Sequence, residues 1–165
     1  MVRVYVSIGS NIDRDHNIAT ALRLLETSFG ALQRSSVYES DAVGFDSDPF
    51  YNLVVGFDTR YSPREIQDML HCIEEASGRT RTTGLSARTL DLDLLLYDDL
   101  VIDADGLVLP RADINRYAFV LGPLAEIAGE QRHPVSGERY ADMWSTFDAA
   151  GQTLSRIDWP PSTAP

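Results

Sequence analysis

Two carboxylates in one apolar segment are the residues of this chain best suited to metal or phosphate chemistry. Asp91 and Asp93 lie in Arg88–Tyr97, where the residues alternate as they do along a β-strand. The two expected faces of that strand are Leu90, Leu92, Leu94 and Leu96 on one side and Asp91, Asp93, Leu95 and Tyr97 on the other. Acids side by side on a buried strand need cations. Hard divalent ions, shared with substrate phosphates, meet that need, and Arg88 offers a guanidinium to phosphate oxygens. We therefore predict a metal-phosphate site.

A second interpretation of the same pair stays open. The two acids could lie on the solvated face of an edge strand and pair with arginines, and an isolated Asp-x-Asp is a weak motif. Five arginines surround the pair in sequence: Arg79, Arg81, Arg88, Arg111 and Arg116. Both a bound anionic ligand and surface ion pairing would explain this cluster.

The composition narrows the class of protein. The chain has 165 residues, 44% of them apolar and 24% charged, which fits one globular domain. Its net charge of −11 argues against nucleic acid or an anionic membrane as the main partner. All 14 basic residues are arginine, which excludes lysine-based phosphate loops and Schiff bases. Cys72 is the single cysteine, and neither a membrane span nor a signal-peptide layout is visible, so we expect a cytoplasmic location.

Apolar periodicity predicts the elements that precede the acid strand. Three strands are predicted at Arg3–Gly9, Leu32–Ser40 and Tyr51–Arg60, and two helices at residues 14–29, ended by Gly30, and from Ser62 to about Ser77. Ser62, Pro63 and Glu65 are typical of a capping box at the start of the second helix. On that helix Ile66, Met69, Leu70 and Ile73 are expected to face the core, and Gln67, His71 and Glu74 the opposite side.

Two polar loops and a run of shorter elements complete the chain. The loops are Asp41–Pro49 and Gly78–Ala87; the later elements are a strand at Leu100–Ile102, extended Leu107–Pro110, a helix at Phe119–Ala128 and a short helix at Arg139–Phe147. The order β-α-β-β-α-β predicts an α+β, ferredoxin-like βαββαβ core with an antiparallel sheet and additional C-terminal helices. We expect one domain over residues 1–158 and a flexible tail over residues 159–165.

Six short motifs in this order resemble a known family. They are Gly9-Ser10-Asn11, Phe50-Tyr51-Asn52, Ile73-Glu74 with Gly78-Arg79-Thr80-Arg81, Arg88-Thr89-Leu90-Asp91-Leu92-Asp93, Leu109-Pro110, and Phe119-Val120-Leu121-Gly122-Pro123-Leu124. Together they resemble 6-hydroxymethyl-7,8-dihydropterin pyrophosphokinase, an enzyme of folate biosynthesis. The resemblance implies transfer of pyrophosphate from ATP to the pterin hydroxyl with release of AMP. It also implies ATP as co-substrate and two Mg²⁺ ions.

The resemblance also implies roles for individual residues. Asp91 and Asp93 would be the metal ligands and, with Arg79 and Arg88, the catalytic set. The residues expected to bind ATP are Glu74, Arg79, Arg81, Arg88, Arg111 and Arg116. The residues expected to bind the pterin are Ser40, Val43, Phe50, Asn52 and Phe119. Asn52 would read the amide edge of the ring and the two phenylalanines would stack on its faces, with plain core packing as the alternative for both rings.

Several positions depart from the family pattern. Arg111 stands where the family usually has a histidine, and as a fixed charge it cannot act as an acid or a base. His71 replaces a usual glutamine, Leu85 an expected tryptophan, and Asp41 a usual proline. Tyr117 aligns with an expected arginine, for which the adjacent Arg116 is a candidate substitute. These changes concern the nucleotide side more than the metal pair.

Two other functions remain as alternatives. A divergent paralogue could bind pterin or nucleotide without efficient turnover, or the chain could be a different metal-dependent nucleotidyl-transfer enzyme. In the preferred interpretation its partners are the small molecules ATP and hydroxymethyldihydropterin, with no nucleic acid and no membrane, and the protein is a monomer.

Overall fold

The structure is a computed structural model that describes residues 1–41, 48–77 and 90–161. Its strands are β1 Val2–Ser10, β2 Gln33–Arg34, β3 Val37–Ser40, β4 Phe50–Thr59, β5 Asp91–Tyr97, β6 Ile102–Ala104, β7 Leu107–Leu109 and β8 Ser155–Ile157. Its helices are α1 Arg14–Phe29, α2 Pro63–Ala76, α3 Asp113–Arg116, α4 Ala118–Ala128 and α5 Tyr140–Ser145. Among the helices in these ranges, none combines the length and the apolar character that a membrane crossing needs.

The main sheet has the predicted ferredoxin-like topology. Its strand order is β5-β1-β4-β3-β8, with β2 also paired to β4, and neighbouring strands run antiparallel. The core order β5-β1-β4-β3 follows from two split βαβ units, in which each helix connects strands that are separated by one other strand. The predicted α+β class, the antiparallel sheet and the additional C-terminal helices are confirmed.

Helices cover both faces of this sheet. One core contains side chains from α1 and α2, such as Leu25 and Leu70, packed on strand residues that include Val6 and Leu94. A second core, on the opposite face, contains side chains from α3, α4 and α5, such as Leu121, packed on Leu95. The sheet is therefore the middle of three layers.

The predicted helices and caps agree closely with the observed ones. α1 ends at Gly30, which has φ 87° and donates its N–H to the carbonyl of Glu26 at 2.8 Å. α2 begins with the predicted capping box, because Ser62 accepts the N–H of Glu65 while the Glu65 side chain accepts the N–H of Ser62. Capping residues act within one helical turn, so the local sequence is sufficient to predict them.

The prediction of one continuous strand at Leu32–Ser40 is wrong. β2 and β3 are separated at Ser35 and Ser36. The hydroxyl of Ser35 accepts the N–H of Val54 at 2.9 Å, and the N–H of Ser36 donates to the Glu126 carboxylate at 3.0 Å. Side chains thus replace two partners of the backbone ladder, and the strand is interrupted there.

Strand β5 also departs from simple alternation. Val6 of β1 pairs with Leu94 but Tyr5 pairs with Leu96, so Leu95 is an extra residue in a β-bulge. The prediction that Leu96 shares a face with Leu94 is therefore wrong. Leu96 packs with Leu95 in the second core, whereas Leu94 lies in the first core. The bulge lies after both acids, and the predicted facing of Asp91 and Asp93 is unaffected.

The remaining differences concern short elements. The strand predicted at Leu100–Ile102 is shifted to β6, which forms a hairpin with β7 through Asp105 and Gly106, both at positive φ. Helix α3 and strand β8 were not predicted as separate elements. The tail stays a prediction as a whole; within it, Trp159 packs on the first core and its Nε1 donates to Asp15 at 3.1 Å, while residues 162–165 lie outside the described ranges.

Candidate active site

The central strand β1 aligns the two groups of predicted site residues. Gly9 is the cross-strand partner of Asn52 on β4 and of Asp91 on β5, and Ser7 is the partner of Asp93. A Cβ on Gly9 would lie 3.2 Å from the Asn52 Oδ1 atom, closer than most side chains tolerate. Glycine therefore lets the amide approach β1, and the register places it across one strand from the first acid.

A cavity of about 260 Å³ opens over this part of the sheet. Its walls come from β1, the ends of β3 and β4, the start of β5, and helices α3 and α4. The lining residues are Ser7, Ile8, Gly9, Ser40, Asp41, Phe50, Asn52, Asp91, Asp93, Asp113, Tyr117, Phe119 and Val120. The fold thus brings both predicted metal ligands together with four of the five predicted pterin residues. We call this space the first cavity.

The amide of Asn52 is held in a defined position. Asn52 is only 4% exposed, and its Nδ2 donates to the Ser40 hydroxyl at 2.6 Å. A buried amide retains hydrogen-bonding capacity beyond one such bond and can complement a polar ring edge. Ser40 thereby orients the group that the resemblance assigns to pterin recognition.

Aromatic side chains line the same cavity. Phe119 stacks on Tyr117 with ring centroids 5.0 Å apart and an angle of 16° between the rings. Phe50 lines the cavity from β4. A role for Phe50 and Phe119 on the two faces of a ring stays a prediction. The departure at Tyr117 has a structural consequence, because a second aromatic ring supports Phe119 where the family pattern has an arginine.

Arg111 is held between two acids that line the first cavity. Its Nη2 lies 3.4 Å from Asp93 and its Nε 3.0 Å from Asp113, and its backbone N–H donates to the carbonyl of the bulged Leu95 at 3.0 Å. Burial opposes the charged form, but Asp93, Asp113 and Asp91 outweigh it and raise the pKa of Arg111. Arg111 is therefore a fixed positive charge beside the predicted metal ligands.

A second cavity of about 260 Å³ adjoins Arg111. It is lined by Gln67, Leu70, His71, Leu92, Asp93, Leu94, Gly106, Leu107, Val108, Arg111, Ala112 and Asp113. Asp93 and Asp113 line both cavities, so these acids form their common wall. Two adjoining cavities with carboxylates between them suit two substrates that exchange an anionic group.

Glu74 corrects one expectation from helical periodicity. It was placed on the outer side of α2 with Gln67 and His71, but it is 5% exposed and its Oε2 accepts the N–H of Leu92 at 2.9 Å. Leu92 lies between the two acids on β5, the edge strand of the sheet. Glu74 therefore caps an edge N–H between the two predicted metal ligands.

Other predicted site residues have different outcomes. Val43, Arg79, Arg81 and Arg88 lie outside the described residues, so their roles stay predictions. Arg116 is exposed on α3 and is not among the residues that line either cavity. Its role in ATP binding also remains a prediction.

Sequence reasoning missed Asp113. Asp113 lies 20 positions after Asp93 in a segment without strand alternation, and only the fold places its carboxylate on the same guanidinium. The nearest signal in the sequence is the arginine two residues earlier. The spacing of two residues between Arg111 and Asp113 does not by itself indicate that Arg111 also pairs with an acid of β5.

The acid pair of β5 fits a hard divalent ion. Asp91 and Asp93 provide carboxylate oxygens on one face of β5, and within the described ranges no group of three or more His, Cys, Asp or Glu residues is placed to hold a metal ion. A protein that offers two carboxylates leaves further positions for substrate oxygens and water. Magnesium is typically bound in this manner.

Comparison with known proteins supports the resemblance. Residues 5–129 match the family described as 7,8-dihydro-6-hydroxymethylpterin-pyrophosphokinase, HPPK. A 2-amino-4-hydroxy-6-hydroxymethyldihydropteridine pyrophosphokinase of Pseudomonas aeruginosa is 40% identical over 138 residues, which cover 80% of this chain and 84% of the relative. A protein of the same name from Bacillus subtilis is 38% identical over 127 residues, covering 74% of this chain and 76% of that protein.

Solved structures share the fold. An HPPK-DHPS structure of Plasmodium falciparum has a TM-score of 0.68 at 16% identity, covering 88% of this chain and 43% of that one. Another HPPK-DHPS, crystallised in complex with substrates, has a TM-score of 0.72 at 13% identity with coverage of 88% and 43%. This chain thus spans less than half the length of those HPPK-DHPS chains.

The family match includes both acids of β5, Asn52 and Phe119. Two relatives at 38% identity or above each align with about three quarters of the chain or more. The resemblance inferred from six motifs is therefore confirmed, and this chain belongs to the 7,8-dihydro-6-hydroxymethylpterin-pyrophosphokinase family.

Proposed function

We propose that this chain transfers the terminal pyrophosphoryl group of ATP to the hydroxymethyl group of 6-hydroxymethyl-7,8-dihydropterin, in folate biosynthesis. The hydroxyl oxygen forms a bond to the β-phosphorus while the bond from that phosphorus to the oxygen of AMP breaks. The products are AMP, the pterin diphosphate and a proton. The observation that carries the proposal is the register of β1, which sets Asn52 and Asp91 on either side of Gly9 in one cavity.

The first cavity is the proposed pterin site. The buried amide of Asn52, oriented by Ser40, complements the amide edge of the pterin ring. Phe119, supported by Tyr117, offers an aromatic face, and Phe50 offers another from β4. Aromatic stacking adds about 1 kcal/mol to the burial of the ring. These contacts fix the ring and direct its hydroxymethyl group to the acid-lined wall.

The acid pair of β5, which lines the first cavity, is the proposed metal and phosphate site. Asp91 and Asp93 would hold magnesium, and two ions are expected. Bound there, magnesium would supply charge neutralisation for the phosphates and would favour ionisation of the hydroxyl. The contribution of the chain is to position the two substrates in line, which removes much of the entropic barrier of a reaction between two molecules.

The second cavity is the proposed nucleotide site. Its lining includes His71, Val108, Asp93 and Arg111. Arg111 would pair with phosphate oxygens of ATP as a fixed charge, and this contact would release Asp93 for the metal. Arg79, Arg81 and Arg88 are proposed to complete the phosphate contacts, with Glu74 supporting β5.

A turnover assay tests the function directly. Purified protein is incubated with Mg²⁺, ATP and the hydroxymethyldihydropterin, and AMP is followed over time. The proposal predicts AMP formation that requires both the pterin and the metal. It also predicts that Asp91→Asn and Asp93→Asn abolish turnover at any Mg²⁺ concentration while the circular dichroism spectrum is unchanged.

The alternatives give different results in the same assay. Pterin binding without AMP would indicate a non-catalytic paralogue, and AMP formation that is indifferent to pterin would indicate another nucleotidyl-transfer reaction. Full activity in either asparagine variant would remove the metal role from that residue.

A further inference from the structure

Arg14, the first residue of α1, makes contacts on both sides of the segment that joins β3 to β4. Its Nη1 donates to the Glu39 carboxylate at 3.0 Å and to the carbonyl of Pro49 at 3.0 Å. Its guanidinium carbon lies 3.9 Å from the centroid of the Tyr51 ring. One side chain therefore connects the end of β3 with the start of β4.

The residues that Arg14 contacts are interleaved with those of the proposed pterin site. Glu39 pairs across the strands with Tyr51, and the next pair along is Ser40 with Phe50. Successive side chains of a strand point to opposite faces. Ser40 and Phe50 line the first cavity, whereas Tyr51 packs against the core on the α1 side.

The pairing between β3 and β4 is short, so a further contact between these strands helps to fix their alignment. Among the described residues, β3 and β4 pair at three positions, from Tyr38–Asn52 to Ser40–Phe50. The pair that Arg14 contacts, Glu39 and Tyr51, lies between the two pairs that carry the cavity side chains. A shift of Glu39 relative to Tyr51 would therefore move Ser40 away from Asn52.

The guanidinium of Arg14 lies in a partly buried environment. Its side chain is 28% exposed, so water screens the ion pair with Glu39 incompletely. Stacking on an aromatic face adds a cation–π interaction and restricts the guanidinium to one plane. A planar group with two hydrogen bonds and a ring contact defines the position of both strands.

We propose that Arg14 is a positioning residue for pterin binding, acting through the Glu39–Tyr51 pair from the face opposite the ligand. This inference rests on the proposed function, since it takes the first cavity to be the pterin site. Arg14 lines neither cavity and so has no assigned contact with either substrate.

The test compares Arg14→Met with Arg34→Met. Arg34 makes the same kind of link, an ion pair at 2.7 Å to Glu26 of α1, but it joins the helix to β2 and does not line either cavity. Pterin binding is measured by calorimetry in the presence of Mg²⁺ and an α,β-methylene analogue of ATP, whose bond cannot be broken by the transfer. Binding of the analogue alone is measured in parallel.

We expect Arg14→Met to raise the dissociation constant of the pterin by about tenfold, because a partly buried ion pair and a cation–π contact are lost together. The dissociation constant of the ATP analogue should stay within about twofold, as expected for a change far from its contacts. Arg14→Lys should restore part of the pterin affinity through its charge, and Arg34→Met should leave it unchanged. In steady state, the KM for pterin should rise while kcat is kept.

Three results would overturn the inference: unchanged pterin affinity in Arg14→Met, an equal loss in Arg34→Met, or an equal loss for the ATP analogue. If Arg14→Met does not fold, Glu39→Gln provides the same comparison, since it removes the charge and keeps an acceptor. Failure of the wild-type protein to bind pterin would instead contradict the proposed function.

Discussion

Arg111 has an unusual place among the charged residues of the site. The guanidinium contacts Asp93 on one side and Asp113 on the other, and its backbone is tied to the bulge of β5. A metal ion that binds Asp93 must share that carboxylate with Arg111 or displace it. Like charges repel, so we expect Arg111 to oppose metal binding at Asp93 when no phosphate is bound.

Replacing Arg111 tests this competition. Arg111→Met should tighten Mn²⁺ binding to the nucleotide-free protein by about twofold to fivefold, the range expected for an ion pair of this exposure. It should weaken ATP binding, because a phosphate contact is lost. The dissociation constant of Mn²⁺ is measured by electron paramagnetic resonance of the free ion, and that of ATP by titration. Arg139→Met, remote from both cavities, is the control; equal Mn²⁺ affinity in wild type and Arg111→Met would exclude the competition.

We expect Asn52 to contribute to the binding of pterin and not to the binding of ATP. Asn52→Ala should weaken pterin binding by about 1–3 kcal/mol, because polar groups of the ring lose a buried partner. The affinity for ATP should be largely kept, since Asn52 does not line the second cavity. Parallel titrations of the two ligands give the comparison. Equal losses for both ligands would contradict the assignment of Asn52 to the pterin.

At the scale of elements, β5 is an edge strand whose irregularities serve the site. Its bulge turns Leu95 and Leu96 into the second core and leaves the carbonyl of Leu95 to accept the N–H of Arg111. On its open edge, Glu74 of α2 accepts the N–H of Leu92. The backbone that carries the acid pair is thus supported at Leu92, between the two acids, and at Leu95, after them.

The edge contact can be removed by one substitution. Glu74→Leu should lower the free energy of unfolding by about 1–3 kcal/mol, because the buried N–H of Leu92 loses its acceptor. Glu74→Gln keeps a carbonyl oxygen and should lose less. Urea unfolding at neutral pH measures both. A Glu74→Leu variant as stable as the wild type would show that this hydrogen bond does not support β5.

At the scale of the whole molecule, Glu126 of α4 links the helical layer to the sheet. Its carboxylate accepts hydrogen bonds from the Tyr38 hydroxyl at 2.6 Å and from the Ser36 hydroxyl at 2.8 Å. Burial alone would raise the pKa of Glu126, but the bonds from Tyr38 and Ser36, with Arg156 nearby, lower it below its ordinary value of 4.5. Burial and the same bond raise the pKa of Tyr38 to about 12.

These shifts predict a pH dependence of stability. A carboxyl with a lowered pKa in the folded state contributes stability above pH 4.5, and that contribution is lost as the pH falls through the folded value. The stability difference between wild type and Glu126→Gln should therefore be present at pH 7 and shrink in acid. Urea unfolding at pH 7 and at a pH below 4.5 measures this stability difference. Glu130→Gln, an exposed neighbour, is the control, and a difference independent of pH would contradict the prediction.

The oligomeric state remains a prediction at this scale. We expect a monomer, and light scattering coupled to size-exclusion chromatography should give a mass near 18.3 kDa. A mass of twice that value would contradict the expectation.

The sequence by itself determined what depends on near neighbours in the chain. The alternation around Asp91 and Asp93, the capping box at Ser62 and the glycine that ends α1 act within a few residues, so a single sequence is sufficient to predict them. The order of the elements restricts the topology in the same way, because short connections leave few ways to pair antiparallel strands. The six motifs were sufficient to indicate the family, and the assignment of Asn52 to the pterin stays a prediction.

Only the tertiary structure decided what depends on contacts between distant segments. The burial of Glu74, the ion pair of Arg111 with Asp93, and the interruption at Ser35 each need a partner that is at least 18 positions away. Periodicity describes one element at a time and does not contain such partners. The acid pair could therefore be identified from the sequence, whereas the arrangement that holds it follows from how the layers pack.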